Sequence, residues 1–242
     1  MRISRLYVNG PLNVGGHIEL DEDAGHYVRT VLRLKTGDAI MLFNGQGGEY
    51  SCRFSEVSRK HVRVEIEKFN SRDVESPLRV NLGMGISRGD RMDWAVQKAV
   101  ELGVAELTPL MTERCVTKLT EAKKIQRWQH WLHIVQHAAE QSGRTRLPQL
   151  GDITDFVDWV ERKDGLKIFL DPYATQSLAD LKPVDQRITL LSGPEGGFSD
   201  AEREIAKDAG FVPVRMGARI LRTETAVLSA LSAVQMLWGD FR

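Results

Sequence analysis

Two stretches near the C-terminus carry the residue types and spacing best suited to chemistry. The first is Ser192-Gly193-Pro194-Glu195-Gly196-Gly197-Phe198, which follows the apolar run 187–191. Three glycines in five residues let backbone amides approach a ligand closely, and Pro194 stiffens the turn. A phosphate cradle wants a cation beside its amides, and this loop offers Glu195 and neither Lys nor Arg. A ligand with a flat base, hydroxyls and a cationic centre suits it better, and S-adenosylmethionine has all three. Taken alone, the loop reads equally well as a tight strand-to-helix turn.

The second stretch is Met216-Gly217-Ala218-Arg219-Ile220-Leu221-Arg222-Thr223-Glu224-Thr225, which follows the short run 212–215. A helix is expected between the two. Ser199 and Glu202 form a capping box, Ile205, Ala206 and Ala209 make one apolar stripe, and Gly210 marks the exit. The order is therefore strand, loop, helix, strand, loop, helix. In a parallel sheet both loops emerge at one edge, where α/β proteins bind ligands.

The two loops at this spacing resemble the C-terminal signature of the SPOUT-superfamily RNA methyltransferases. They are most similar to the branch that methylates N3 of a uridine in 16S ribosomal RNA, the RsmE family. Further stretches agree, among them Arg88-Gly89-Asp90-Arg91-Met92-Asp93, Glu113-Arg114-Cys115, Glu140-Gln141-Ser142-Gly143-Arg144 and His26-Tyr27-Val28-Arg29. The resemblance implies S-adenosylmethionine as cofactor. It would be held by Leu170, Gly193, Pro194, Glu195, Gly196 and Gly197, and from the second loop by Met216, Gly217, Ile220, Leu221, Arg222 and Thr225. It also implies a PUA-like RNA-binding domain at the N-terminus and a deep trefoil knot near the last two loops, where pattern alone gives a plain doubly wound sheet.

The implied reaction has two needs besides alignment. The imide N3–H of uridine must lose its proton, and charge then spreads onto the flanking oxygens, which asks for a base and a cation. Arg222 is the candidate cation. Glu195 and Glu224 are the candidate bases, and Glu224 reads equally well as a cap on the last helix. Paired bases hide N3, so the target must be unpaired or flipped out.

Composition excludes little and directs little. The chain has 242 residues, 42% hydrophobic and 27% charged, with 33 basic against 33 acidic side chains, so any RNA surface must come from local clustering. Cys52 and Cys115 stand in no metal-ligand spacing and fit a reducing, cytoplasmic setting. No signal peptide and no membrane span is expected.

The elements that must position these loops follow from patterning. Residues 2–8, 17–20, 39–43, 49–54 and 62–69 read as short strands with a helix over 24–34, a small, partly closed β-barrel. Arg5, His26, Arg29 and Arg33 are its candidate RNA contacts: patterning alone reads them as a solvated charged face, and the resemblance implies an RNA surface, where Arg can bind phosphate bidentately and stack on bases. Polar residues 71–77 read as a linker, which separates an RNA-binding domain over 1–72 from a methyltransferase domain over 78–242. A βαβ unit is expected over 79–110. Its Gly83, Gly85 and Gly89 nearly match a dinucleotide fingerprint but miss the spacing.

A long helix over 121–141 would place Ile125, Trp128, Leu132, Val135 and Ala139 in the core, with His130, His133 and His137 opposite and no metal implied. Between Arg114 and Arg146 seven Lys or Arg face two acidic residues, which makes Arg114, Lys118, Arg144 and Arg146 further RNA candidates. The closing helix over 224–238 is apolar on nearly all sides apart from Ser229, Ser232 and Gln235. That points to a homodimer through this helix. The fold expected is α/β, a parallel-sheet domain after a small β-barrel. The competing reading is a catalytically silent RNA-binding or ribosome-assembly protein, which would have no use for both loops.

Overall fold

A computed structural model describes residues 3–115, 119–161 and 164–241. The chain divides into two compact units, Met1–Glu75 with Ala139–Leu147, and Ser76–Ala138 with Pro148–Arg242. The stretch 139–147 thus joins the first unit, whereas sequence patterning groups it with the second domain.

The first unit is built on a five-stranded sheet. Its strands are β1 (Arg5–Tyr7), β2 (His17–Glu19), β3 (Ala39–Phe43), β4 (Glu49–Val57) and β5 (Val62–Asn70), in the order β1-β3-β4-β5-β2. Only β1 pairs in parallel. Alternation sets the buried face: in β5, Val62, Val64 and Ile66 are buried and Arg63, Glu65 and Glu67 exposed. Register shifts at Ser51/Cys52 and Phe54/Glu56 are β-bulges, which bend β4 and help such a sheet curl. Helix α1 (Glu22–Tyr27) is capped by Asp21, whose Oδ1 accepts from the Ala24 N–H at 2.8 Å. The helix widens into a π-turn over Val28–Leu32 and ends on Arg33, held at φ 54°, where patterning predicts a plain helix.

The second unit carries a seven-stranded sheet in which every pairing is parallel. Its strands are β6 (Arg79–Gly85), β7 (Glu106–Met111), β8 (Gln149–Leu150), β9 (Thr154–Asp155), β10 (Leu166–Leu170), β11 (Arg187–Ser192) and β12 (Val212–Val214). The order is β12-β10-β11-β6-β7-β8, with β9 also on β7. Strands β6 and β11 are buried along almost their whole length, as parallel strands covered on both faces must be. The helices are α2 (Asp90–Glu101), α3 (Glu121–Ser142), α4 (Phe156–Glu161), α5 (Asp200–Asp208) and α6 (Thr223–Trp238). The chain leaves β11, forms α5 and returns as β12 on the far side of β10. The ends of β10, β11 and β12 therefore lie side by side at one edge.

Two helices differ from their sequence patterns. In α3 the buried apolar positions are Trp131, Val135, Ala138 and Ala139, while Ile125 is 59% exposed. The apolar residues of this helix spread over two adjacent faces, and periodicity selected the wrong one for the first turns. In α6, Val227, Ala230, Leu231 and Val234 are fully buried within the chain's own core. Gln235 is buried as well and fully used: its Nε2 donates to Leu102 O at 3.0 Å and its Oε1 accepts from Ser76 Oγ at 2.8 Å. The outward face of α6 is narrower than the sequence suggests and ends in exposed Met236 and Leu237. Among the described residues no helix is long and apolar enough to cross a membrane, and no cluster of three His, Cys, Asp or Glu is placed to hold a metal ion.

Candidate active site

Three loops meet where β10, β11 and β12 end. Leu170 leads into Asp171-Pro172-Tyr173, Ser192 into the glycine loop, and Val214 into the stretch from Arg215 to Arg222. Together they enclose a cavity of about 430 Å³, within the range of small-ligand sites. Backbone hydrogen bonds join them: the Asp171 N–H donates to Val214 O and the Arg215 N–H to Gln176 O, both at 2.9 Å. Within the glycine loop the Gly197 N–H donates to Pro194 O at 2.8 Å, a turn closed at Gly197 with φ 65°. Helix α5 then starts on Ser199 with the capping box in place.

Close packing fixes the glycine loop from below. A Cβ on Gly85 would lie 2.5 Å from Pro194 Cδ, and one on Gly83 would lie 2.4 Å from the Trp159 ring. The glycines that mimic a dinucleotide fingerprint are thus packing positions under the loop and under α4. A Cβ on Gly196 would meet Arg114 Cβ at 3.1 Å. A larger residue there would disturb the loop's own neighbour as well as any ligand.

The electrostatics differ from those of the isolated loop sequence. Arg91, from the first turn of α2, donates to Glu195 Oε1 at 3.1 Å, and the Arg88 N–H donates to the same oxygen at 3.1 Å. Partial burial would raise the Glu195 pKa. Its own backbone N–H, the Arg88 N–H and the Arg91 guanidinium outweigh that and hold the carboxyl below its ordinary value. Arg114 donates to Gly196 O at 3.2 Å. Arg203 of α5 pairs with buried Asp171. The loop that lacks cations in sequence is therefore flanked by Arg91 and Arg114 from remote segments and by Arg203 from the helix that follows it, each tied to an acceptor. Arg215, Arg219 and Arg222 also line the cavity, are exposed, and have no side-chain partner among the described residues.

Of the residues expected around a cofactor, Leu170, Gly193, Pro194, Glu195, Gly196, Gly197, Met216, Ile220, Leu221 and Arg222 line the cavity. Gly217, at φ 79°, shapes the second loop without lining the cavity, and Thr225 lies outside it. Glu224 is also outside the lining; it is buried in the first turn of α6, its Oε2 enclosed without a hydrogen bond among the described residues. The loop after β10 escaped sequence reading beyond Leu170. Its available signal was Asp171-Pro172 directly after a buried strand, the position where parallel sheets place ligand loops.

The candidate RNA residues divide sharply. His26, Arg33 and Arg146 are exposed, Arg146 donating to Gln46 O at 3.2 Å. Arg29 is half-buried and donates to Ser58 O at 3.4 Å. Arg114 belongs to the cavity, and Lys118 lies outside the described residues. Arg5 and Arg144 do not present their guanidiniums to solvent. Arg5 pairs with Glu49 and donates to Arg144 O at 2.9 Å; Arg144 pairs with Glu75, its Nε 3.1 Å from Oε1. A desolvated guanidinium that already has its carboxylate is committed to the fold. These two residues are corrected to structural roles.

Comparison with known proteins matches the same features. The family described as RNA methyltransferase domain covers residues 74–235, and the one described as RNA methyltransferase PUA domain covers residues 20–67. Ribosomal RNA small subunit methyltransferase E of Buchnera aphidicola subsp. Schizaphis graminum is 36% identical, over 99% of this chain and 98% of its own length. The Bacillus subtilis protein of that name is 31% identical, over 89% and 90%. A Legionella pneumophila protein solved with the cofactor SAM bound superposes with a TM-score of 0.96 at 38% identity, covering all of both chains. The Neisseria gonorrhoeae ribosomal RNA small subunit methyltransferase E bound to S-adenosyl methionine gives 0.93 at 36%, again over both full chains. A parallel sheet ending in three ligand loops, a PUA-like unit before it and full-length relatives at this identity lead to one assignment: the chain belongs to the ribosomal RNA small subunit methyltransferase E family of RNA methyltransferases.

Proposed function

We propose that this chain transfers a methyl group from S-adenosylmethionine to N3 of a uridine in the RNA of the small ribosomal subunit. The observation that carries the reading is the cavity formed where the loops after β10, β11 and β12 meet. The residues present fit the cofactor: Leu170, Pro172, Ile220 and Leu221 give apolar walls for a flat base, and the glycine loop brings backbone groups within reach of hydroxyls. When bound, S-adenosylmethionine supplies an electrophilic methyl group on a good leaving group.

The protein's share is alignment and charge. The loops hold both partners in line, which removes the entropic part of the barrier. Arg222, exposed on the cavity and unpartnered among the described residues, stabilises the negative charge that spreads onto the uracil oxygens as N3 loses its proton. Glu195 is a weak base because three donors hold it ionised, and we assign it to loop anchoring. Glu224 favours the helix N-terminus from an enclosed position, which supports its structural role. The proton then leaves to solvent at the open mouth. RNA is held by the N-terminal unit through His26, Arg29, Arg33 and Arg146, and the last loops carry the trefoil threading of the superfamily. The chain acts in the cytoplasm as a homodimer through the outward face of α6.

The test is tritiated methyl transfer to free RNA and to small subunits from a strain lacking this protein, followed by nucleoside mass spectrometry. N3-methyluridine in one of the two substrates is the expected product. Label in another nucleoside, or none in either substrate, overturns the reading.

A further inference from the structure

Tyr173 follows Asp171-Pro172 at the end of β10 and is 74% exposed on the cavity rim. Its position is built by its neighbours. The Tyr173 N–H donates to Asp171 Oδ1 at 3.0 Å, and the other carboxylate oxygen of Asp171, itself buried, pairs with Arg203. Arg203 in turn places its guanidinium carbon 5.4 Å from the centre of the Tyr173 ring, within cation–π range. An aromatic ring so supported by a part-buried ion pair, yet largely open to solvent, leaves a flat apolar surface without a covering group.

Charge beside the ring indicates what covers it. Arg215 and Arg219 line the same cavity, are exposed, and have no side-chain partner among the described residues. A base that brings phosphates satisfies both the ring and the arginines. S-adenosylmethionine brings a base and a single carboxylate but no phosphate, which can answer one arginine and leaves the others open. Single-stranded nucleic acid sites combine these two features, an aromatic platform for a base and cations along the backbone.

We infer that Tyr173, held by the Asp171–Arg203 pair, is the stacking platform for an unpaired RNA base at the cavity mouth, with Arg215 and Arg219 on the adjoining phosphates. The inference rests on the methyltransferase reading for the nature of the substrate. It goes beyond that reading by assigning an RNA subsite to the loop after β10. Asp171 and Arg203 are positioning residues, acting through the ring.

The full-length protein can be tested with small-subunit RNA by filter binding at several salt concentrations, and with a short oligouridylate carrying one 2-aminopurine by fluorescence. Tyr173→Ala should weaken RNA binding about 5- to 150-fold, the loss expected for one base–aromatic stack, and abolish quenching of the 2-aminopurine. S-adenosylhomocysteine affinity, measured by calorimetry, should stay within twofold. Tyr173→Phe should restore both RNA binding and quenching. Arg203→Ala should reduce quenching while the salt dependence of binding stays that of wild type; Arg215→Ala and Arg219→Ala should each flatten that dependence. RNA binding unchanged in a folded Tyr173→Ala protein overturns the inference. So does an equal loss of S-adenosylhomocysteine affinity, which would give the ring to the cofactor. A wild-type protein that quenches 2-aminopurine but transfers no methyl group fails the methyltransferase reading and leaves the stacking subsite standing.

Discussion

Arg91 Nη1 lies 3.1 Å from Glu195 Oε1, so the first turn of α2 holds the centre of the glycine loop after β11. The two residues are 104 apart in sequence. The pair is partly exposed, and such pairs contribute about 0–1 kcal/mol to stability. Its consequence is for the ligand loop, which that one oxygen ties to both Arg88 and Arg91.

Arg91→Ala and Glu195→Gln should therefore melt within a few degrees of wild type and bind S-adenosylhomocysteine roughly tenfold more weakly, about 1.4 kcal/mol. The pH dependence has a fixed sign. A carboxyl held below its ordinary value is already ionised above the usual carboxylate range, near about 4.3. The anchoring it provides is lost only as pH falls through its lower folded value. Calorimetric affinity should stay flat from neutrality down to about pH 5 in the wild type with respect to this group. Turnover by Glu195→Gln should fall with cofactor affinity and recover at saturating cofactor; a collapse of the saturated rate would make Glu195 the base after all.

Gly83→Ala and Gly85→Ala place a methyl group against the Trp159 ring and Pro194, closer than carbon atoms approach. Overpacking of this kind costs roughly 1–3 kcal/mol. Denaturant unfolding should show that loss for both. Only Gly85→Ala should also weaken cofactor binding, because Pro194 belongs to the cavity and Trp159 does not.

Arg144→Ala leaves Glu75 without its guanidinium partner in a largely buried setting. Breaking such a pair costs about 3–5 kcal/mol, so thermal denaturation should show a marked loss. The salt dependence of RNA binding, measured below the melting temperature, should match wild type. Arg33→Ala should behave in the opposite way, with unchanged stability and a flatter salt dependence. Equal salt dependence in both variants would remove Arg33 from the RNA surface.

Leu231→Glu and Met236→Glu separate folding from association. Leu231 is fully buried in its own chain, so a charge there should give insoluble or unfolded protein. Met236 is 60% exposed, and Met236→Glu should fold. If the outward face of α6 forms the dimer, sedimentation at micromolar concentration should show wild-type dimers and Met236→Glu monomers. A monomeric wild type would rule the dimer out.

The sequence alone determined most of the longer elements and the two glycine loops, because those depend on neighbours a few residues apart. The Ser199–Glu202 capping box and the βαβ unit that begins at Arg79 are local signals, and the structure shows them where patterning puts them. Local signals also placed Gly193 to Gly197 and Met216 to Arg222 at strand ends, hence at one edge of a parallel sheet. Tertiary structure decided which charges face that edge. Arg91 and Arg114 reach the glycine loop from remote segments, and Arg203 reaches Asp171 across 32 residues, pairings that no local pattern encodes. It also decided which arginines are spent: Arg144 and Arg33 look alike in sequence, yet one is desolvated against Glu75 and the other is open to solvent. The difference is burial, a property of the whole packed unit, and burial determines whether a guanidinium holds the fold or remains free for a phosphate.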